Sequence, residues 1–130
     1  MERTVLVIDD EKSIREIIEI SLEDDWNVVL ASSADQGLEL ARQNSPDLIL
    51  LDMMMPEKDG IATLKEFRAE PATAAVPIIF LTARVQTQEM TEYDELDVLG
   101  VLSKPFDPMS LTDQIEDLLK KGSGKVAGNA

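Results

Sequence analysis

Cysteine and histidine are both absent from the chain. That excludes disulfides, thiolate nucleophiles, zinc sites built from Cys and His, and a Ser-His-Asp triad. A chain without cysteine suits a reducing compartment, and the cytoplasm is the expected location. Bases are scarce as well: 12 Lys and Arg stand against 26 Asp and Glu, a formal net charge of −14. So acidic a surface opposes direct contact with nucleic acid or an anionic membrane, because each phosphate contact needs a base. No apolar run approaches the ~20 residues of a membrane span and no signal-peptide core opens the chain, so membrane insertion is not expected. A Gly-rich phosphate loop is also missing, which disfavours nucleotide binding of the P-loop or Rossmann kind.

What remains is a chain of 130 residues, 44% of them hydrophobic, enough for one domain with a real core. Two periods alternate along it five times. The runs TVLVI (4–8), NVVLA (27–31), DLILL (47–51), VPIIFL (76–81) and VLGVL (98–102) are short and, after at most one polar residue, without polar interruption. After the first come Ile14, Ile17, Ile18 and Leu22 at helical spacing; after the second, Leu38 and Ala41 on a helix that Ala34 opens. Ile61, Leu64 and Phe67 follow the third run, and Leu111, Ile115, Leu118 and Leu119 follow the fifth. The segment 86–97 after the fourth is mostly polar, with only Met90, Tyr93 and Leu96 as large apolar residues. Continuous apolar runs mark strands covered on both faces. Strand and helix repeated five times predict an α/β fold, a doubly wound parallel sheet with helices on both faces.

The last helix carries the clearest punctuation. Asp107 reads as its N-cap, with Pro108 at the first helical position, where the missing N–H costs nothing. Lys120 and Lys121 suit the negative end of the dipole, and Gly122 suits a left-handed stop. The expected division is a domain over residues 1–121 and a flexible tail over 122–130.

Ligands of open parallel sheets sit beyond the carboxyl ends of the strands. The first run ends in Asp9-Asp10-Glu11, the third in Asp52, the fourth in Thr82 and the fifth in Ser103-Lys104-Pro105. Each has an ordinary reading alone: Asp10 could cap the first helix, Thr82 the helix after the fourth strand, and Asp52 could start a turn. Together they put acids, a hydroxyl and a lysine at one edge of the sheet. Clustered carboxylates repel one another, so such a site calls for a cation. Magnesium fits: it takes one or two carboxylates, keeps waters and completes its octahedron with a phosphate oxygen. Lys104 and Thr82 could then meet the other phosphoryl oxygens, and a carboxylate so placed can attack phosphorus to give an aspartyl phosphate.

This ordered set resembles the receiver domain of two-component response regulators. The matching pieces are Asp9-Asp10-Glu11, LLDMMMPEKDG around Asp52, Thr82-Ala83 and KPF at 104–106. The resemblance runs over roughly residues 3–121 and implies a flavodoxin-like five-stranded sheet in the order 2-1-3-4-5. It implies Asp52 as the phosphoacceptor. Asp10, Asp52 and the Met54 carbonyl would bind Mg2+, with Asp9 acting through a metal-bound water. Lys104 would hold the phosphoryl group, through a lysine–proline bond that is commonly cis in the family. Thr82 would reorient toward the phosphoryl oxygen, with segment 86–97 as the moving part. The implied partners are a sensor histidine kinase or histidine phosphotransfer protein, which supplies the histidine this chain lacks, and a downstream protein target. The expected assembly is a monomer or weak dimer.

Two departures from the family pattern concern signalling. Many receivers carry an aromatic three residues before the lysine, where this chain has Val101. Met54 and Arg84 flank the place of an attacking water and offer no strong acceptor to orient it, which predicts a long-lived phosphoryl group. Two alternatives are a phosphatase of the haloacid-dehalogenase type, which wants a second acid where Met54 stands, and a receiver-like scaffold that never takes phosphate.

Overall fold

The structure is a computed structural model; it describes residues 3–56, 58–83, 98–104 and 107–128, the last eight as backbone only. Five strands form one parallel sheet: β1 (Arg3–Ile8), β2 (Trp26–Ala31), β3 (Leu48–Asp52), β4 (Ile78–Thr82) and β5 (Gly100–Ser103). Their order is β2-β1-β3-β4-β5, as the resemblance implies. Four helices are described: α1 (Lys12–Leu22), α2 (Ala34–Asn44), α3 (Gly60–Ala69) and α4 (Leu111–Gly128). The expected helix over 86–97 lies outside the described residues.

The central strands are buried on both faces because successive side chains alternate between two cores. Leu6, Ile8, Ile49, Leu51, Ile78 and Phe80 pack against α2 and α3, through residues such as Leu38, Leu64 and Phe67. Val5, Val7, Leu48, Leu50, Ile79 and Leu81 pack against α1 and α4, through Ile18, Leu22, Leu111 and Ile115. This is why those runs are continuous rather than alternating. The edge strand β2 is covered less fully, with Val28, Val29 and Leu30 only partly buried.

Local sequence sets the helix starts. Ser33 caps α2, its side chain accepting from the Gln36 N–H at 3.1 Å, while the Gln36 side chain accepts from the Ser32 N–H at 2.7 Å. Asp59 caps α3 by accepting from the Ala62 N–H at 2.8 Å. Ser45 closes α2 in the left-handed region, with φ 46.

Several boundaries differ from the sequence reading. β4 starts at Ile78 rather than Val76, and β5 at Gly100 rather than Val98. Asp10 does not cap α1: Glu11 occupies that position and lends no side-chain bond. Asp107 does not cap α4 either. Its carboxylate accepts from the Met109 N–H at 3.0 Å and its carbonyl from the Ser110 N–H at 3.0 Å, making a turn before the helix. Pro108 serves that turn, whose second position wants the same φ as a first helical residue. The helix continues past Gly122 to Gly128. Glycine weakens a helix by about 1 kcal/mol but keeps its N–H, so unlike proline it need not end one.

Candidate functional site

Strand alternation selects which side chains meet at the carboxyl edge of the sheet. Asp9 continues the parity of Val5 and Val7, Asp52 that of Leu48 and Leu50, and Lys104 that of Leu102, all on the α1/α4 face. Thr82 shares the parity of Ile78 and Phe80, on the α2/α3 face. Backbone bonds carry the ladder past the strand ends and fix these positions. The Asp9 N–H donates to the Ala31 carbonyl at 3.1 Å, Met53 to Leu81 at 3.0 Å, and Lys104 to Thr82 at 2.8 Å.

The result is a buried acid site with a lysine in it. Asp9 is 0% exposed and Asp52 2%. The Lys104 ammonium lies 2.8 Å from Asp9 Oδ2, 3.4 Å from Asp52 Oδ1 and 3.7 Å from Glu11 Oε1. Asp9 Oδ1 accepts from the Glu11 N–H at 2.9 Å, and Asp52 Oδ1 from the Met54 N–H at 3.1 Å. Burial pushes the Asp52 carboxyl up to about 6, aided by the Asp9 charge and opposed by the Met54 N–H and Lys104. Burial alone would lower Lys104, but Asp9 first and Asp52 second hold it above its usual value.

The carboxylates fit a hard cation. Asp9, Asp10 and Asp52 each bring an oxygen within 4.8 Å of the others, and Asp10 is the exposed member. Around magnesium, neighbouring ligand oxygens stand about 3 Å apart and opposite ones about 4 Å, so small side-chain rotations would close the set. Asp9 Oδ2 is buried with no aligned hydrogen bond, despite the lysine at 2.8 Å. A water held by the ion could turn a hydrogen toward such an atom. Asp10 also lines a neighbouring cleft of about 280 Å³, together with Ser32, Ser33, Asp35, Met55 and Lys58.

The structure thus brings together Asp9, Asp10, Asp52 and Lys104, with the Met54 backbone beside them. Thr82, buried at the end of β4, is in register with Ser103 of β5. Arg84 and the Lys104–Pro105 bond lie outside the described residues. One contributor was not singled out by sequence. Arg15 donates to the Asp9 carbonyl at 2.8 Å, tying α1 to the site. Its signal was a base in the opening turns of a helix, where the dipole favours acids. Gly60, which ends the LLDMMMPEKDG motif, has a steric reason: a Cβ there would meet Met53 Cα at 2.9 Å, so only glycine lets α3 start against the loop that follows Asp52.

A doubly wound parallel sheet with an acid–lysine site at its carboxyl edge defines an α/β domain whose polar groups gather where such folds bind their ligands. Comparison with known proteins makes this specific. The family model of the response regulator receiver domain matches residues 5–116, and the chain belongs to that family. It is 34% identical over 120 residues to response regulator Rre1 of Synechocystis, covering 91% of this chain and 52% of that protein. With the phosphate regulon transcriptional regulatory protein PhoB of Escherichia coli it shares 33% identity over 122 residues, 93% of this chain and 53% of that protein. The chain spans about half the length of these curated relatives. Chemotaxis response regulator CheY4 of Vibrio cholerae superposes with TM-score 0.84 at 28% identity, covering 91% of this chain and 99% of that one. The N-terminal domain of a receiver protein from Methanoculleus marisnigri gives 0.72 at 34% identity, over 89% of this chain and 95% of that one. The fold and family are those the strand-end motifs imply. A haloacid-dehalogenase-type phosphatase lacks its second acid here, since Met54 offers a thioether and a backbone N–H. Among the described residues, no helix is long and apolar enough to cross a membrane.

Proposed function

We propose that the chain is a phosphorylation switch in which Asp52 accepts a phosphoryl group from a phosphohistidine of a partner kinase or phosphotransfer protein. An Asp52 carboxylate oxygen attacks phosphorus, the P–N bond breaks, and the partner's imidazole leaves, giving an aspartyl phosphate. The observation that carries this reading is Lys104 at 3.4 Å from Asp52 Oδ1 in a site shared with Asp9 and Asp10. Asp10, Asp52 and the Met54 carbonyl would hold Mg2+, with Asp9 behind them; when bound, that ion supplies positive charge for the phosphoryl oxygens.

Lys104 then has two roles. Without phosphate it neutralises Asp9 and Asp52, and with phosphate it moves to the phosphoryl oxygens. Thr82, at the neighbouring strand end, is the hydroxyl that would follow the phosphoryl group and carry the signal toward β5. The domain promotes only its own phosphorylation and dephosphorylation, and Met54 gives it a slow loss of phosphate. Its output is altered binding of a downstream protein by a monomer or weak dimer in the cytoplasm, the switch unit being residues 1–121. PhoB is a transcriptional regulatory protein by name. The −14 charge of the present chain supports no nucleic-acid contact by the chain itself.

The test is incubation with Mg2+ and acetyl phosphate, read by intact mass. A phosphoryl adduct is expected in wild type and not in Asp52→Asn. Wild type without an adduct overturns the reading and favours a scaffold.

A further inference from the structure

Three methionines follow the strand that ends in Asp52, and they part company in the fold. Met53 and Met55 are 7% and 8% exposed and belong to the α2/α3 core, where methionine fills irregular space. Met54 is 61% exposed. Its backbone N–H donates to Asp52 Oδ1 at 3.1 Å, so an accessible thioether is rooted one hydrogen bond from the carboxylate. Packing does not account for that side chain.

We infer that Met54 is a peroxide-sensitive modification site whose oxidation to the sulfoxide shortens the life of a phosphoryl group on Asp52; this rests on the phosphoacceptor role proposed above. The chemistry is a two-electron transfer. A sulfur lone pair attacks one oxygen of hydrogen peroxide, the O–O bond breaks, and the products are methionine sulfoxide and water. Sulfur is oxidised and the peroxide is reduced. Methionine sulfoxide reductases reverse the change, so the site can cycle. The chain holds no cysteine, so no thiol competes for the oxidant within it.

Oxidation alters what Met54 can do at the site. A thioether is a weak acceptor, whereas the sulfoxide oxygen is a polar acceptor able to hold a water beside the phosphoryl group. Orienting that water speeds hydrolysis of the aspartyl phosphate. Met109 is an internal control, being 89% exposed with its backbone N–H on Asp107 rather than Asp52.

The experiment treats the full chain with limiting hydrogen peroxide, maps sulfoxides by peptide mass, then loads it with Mg2+ and acetyl phosphate and follows phosphoryl loss. Met54 and Met109 are expected to gain oxygen before Met53 and Met55. Treated wild type is expected to lose its phosphoryl group about tenfold faster, the factor one well-placed hydrogen bond supplies. Met54→Leu should decay at its own rate with or without peroxide, while Met109→Leu still responds. Met54→Gln, with an amide acceptor, should decay fast without treatment, and sulfoxide reductases should restore the slow rate in treated wild type. Oxidation of Met54 no earlier than Met53 and Met55, or equal decay in treated and untreated wild type, overturns this inference alone. No adduct in any sample overturns the phosphoacceptor reading and this inference with it.

Discussion

Lys104 lies closer to Asp9 than to Asp52, at 2.8 Å against 3.4 Å. The residue expected to hold a phosphoryl group on Asp52 therefore rests chiefly on the neighbouring acid. The lysine does part of a cation's work, neutralising two buried carboxylates at once. A divalent ion held by Asp10 and Asp52, with Asp9 behind them, would relieve it of that task and leave it for the phosphoryl oxygens.

Removing the lysine leaves Asp9 and Asp52 buried without their counter-charge. Lys104→Met is expected to lower the stability of the metal-free protein by about 3 kcal/mol at neutral pH, the cost of breaking a buried pair on one side. The loss should shrink in acid, as Asp52 takes its proton, and Mg2+ should recover much of it. Urea denaturation with and without Mg2+ at two pH values measures all three. A variant as stable as wild type at neutral pH would show that the pair carries little.

Asp52 itself should titrate the fold. Its carboxyl is pushed up from 3.8 to about 6, chiefly by burial, so the folded state binds this proton more tightly than the unfolded chain does. Its contribution to stability is then full below pH ~4 and is lost as pH rises through about 6. Asp52→Asn, which cannot ionise, should be more stable than the metal-free wild type at neutral pH, by about 2 kcal/mol. Below pH ~4 the two should converge. Mg2+ should stabilise wild type more than the variant, and thermal melts across this pH range provide the comparison.

Gly60 tests how α3 holds the site. A methyl at this position would sit 2.9 Å from Met53 Cα and 3.1 Å from the Asp52 carbonyl oxygen, both backbone neighbours that cannot swing aside. Its N–H also donates to the Met53 carbonyl at 3.0 Å. Gly60→Ala is expected to cost about 1–3 kcal/mol through overpacking. It should also reduce the phosphoryl adduct formed with acetyl phosphate, because the loop after Asp52 must move. Ala62→Gly in the same helix, weakening it without that clash, should lower stability by about 1 kcal/mol and leave the adduct unchanged.

The sheet was legible because burial on both faces leaves a mark: Leu48 to Leu51 are uninterruptedly apolar, and so short a run between polar residues suits a covered strand better than a helix. The acids were legible because Asp9 and Asp52 directly end such runs, where the fold class puts its ligands. Which acid the lysine prefers was not, since that depends on backbone bonds such as Lys104 to Thr82, which no residue type encodes. The start of α4 was misread because Asp107-Pro108 serves a turn and a helix equally well. Arg15 is only half legible: a base in the opening turns of α1 is its sign, but its target is the Asp9 carbonyl, and no residue type marks a backbone acceptor.

Val101 stands where many receivers carry the aromatic that rotates on phosphorylation. It pairs in register with Phe80 of β4 and packs, partly buried, against the α2/α3 core. It belongs to the α2/α3 face of the sheet, opposite the parity of Asp9, Asp52 and Lys104, so Val101→Tyr should accept a phosphoryl group to the wild-type extent. A tyrosine there must either overfill the core edge, costing about 1–3 kcal/mol, or turn outward and present a ring to a partner. We expect the outward position, with urea stability within about 1 kcal/mol of wild type and altered affinity for the protein target in the phosphorylated form. Adduct yield by intact mass, a denaturation midpoint and target titration with and without phosphate separate the outcomes. Identical binding by variant and wild type in both states would remove position 101 from the output surface and leave Thr82 to relay the signal without it.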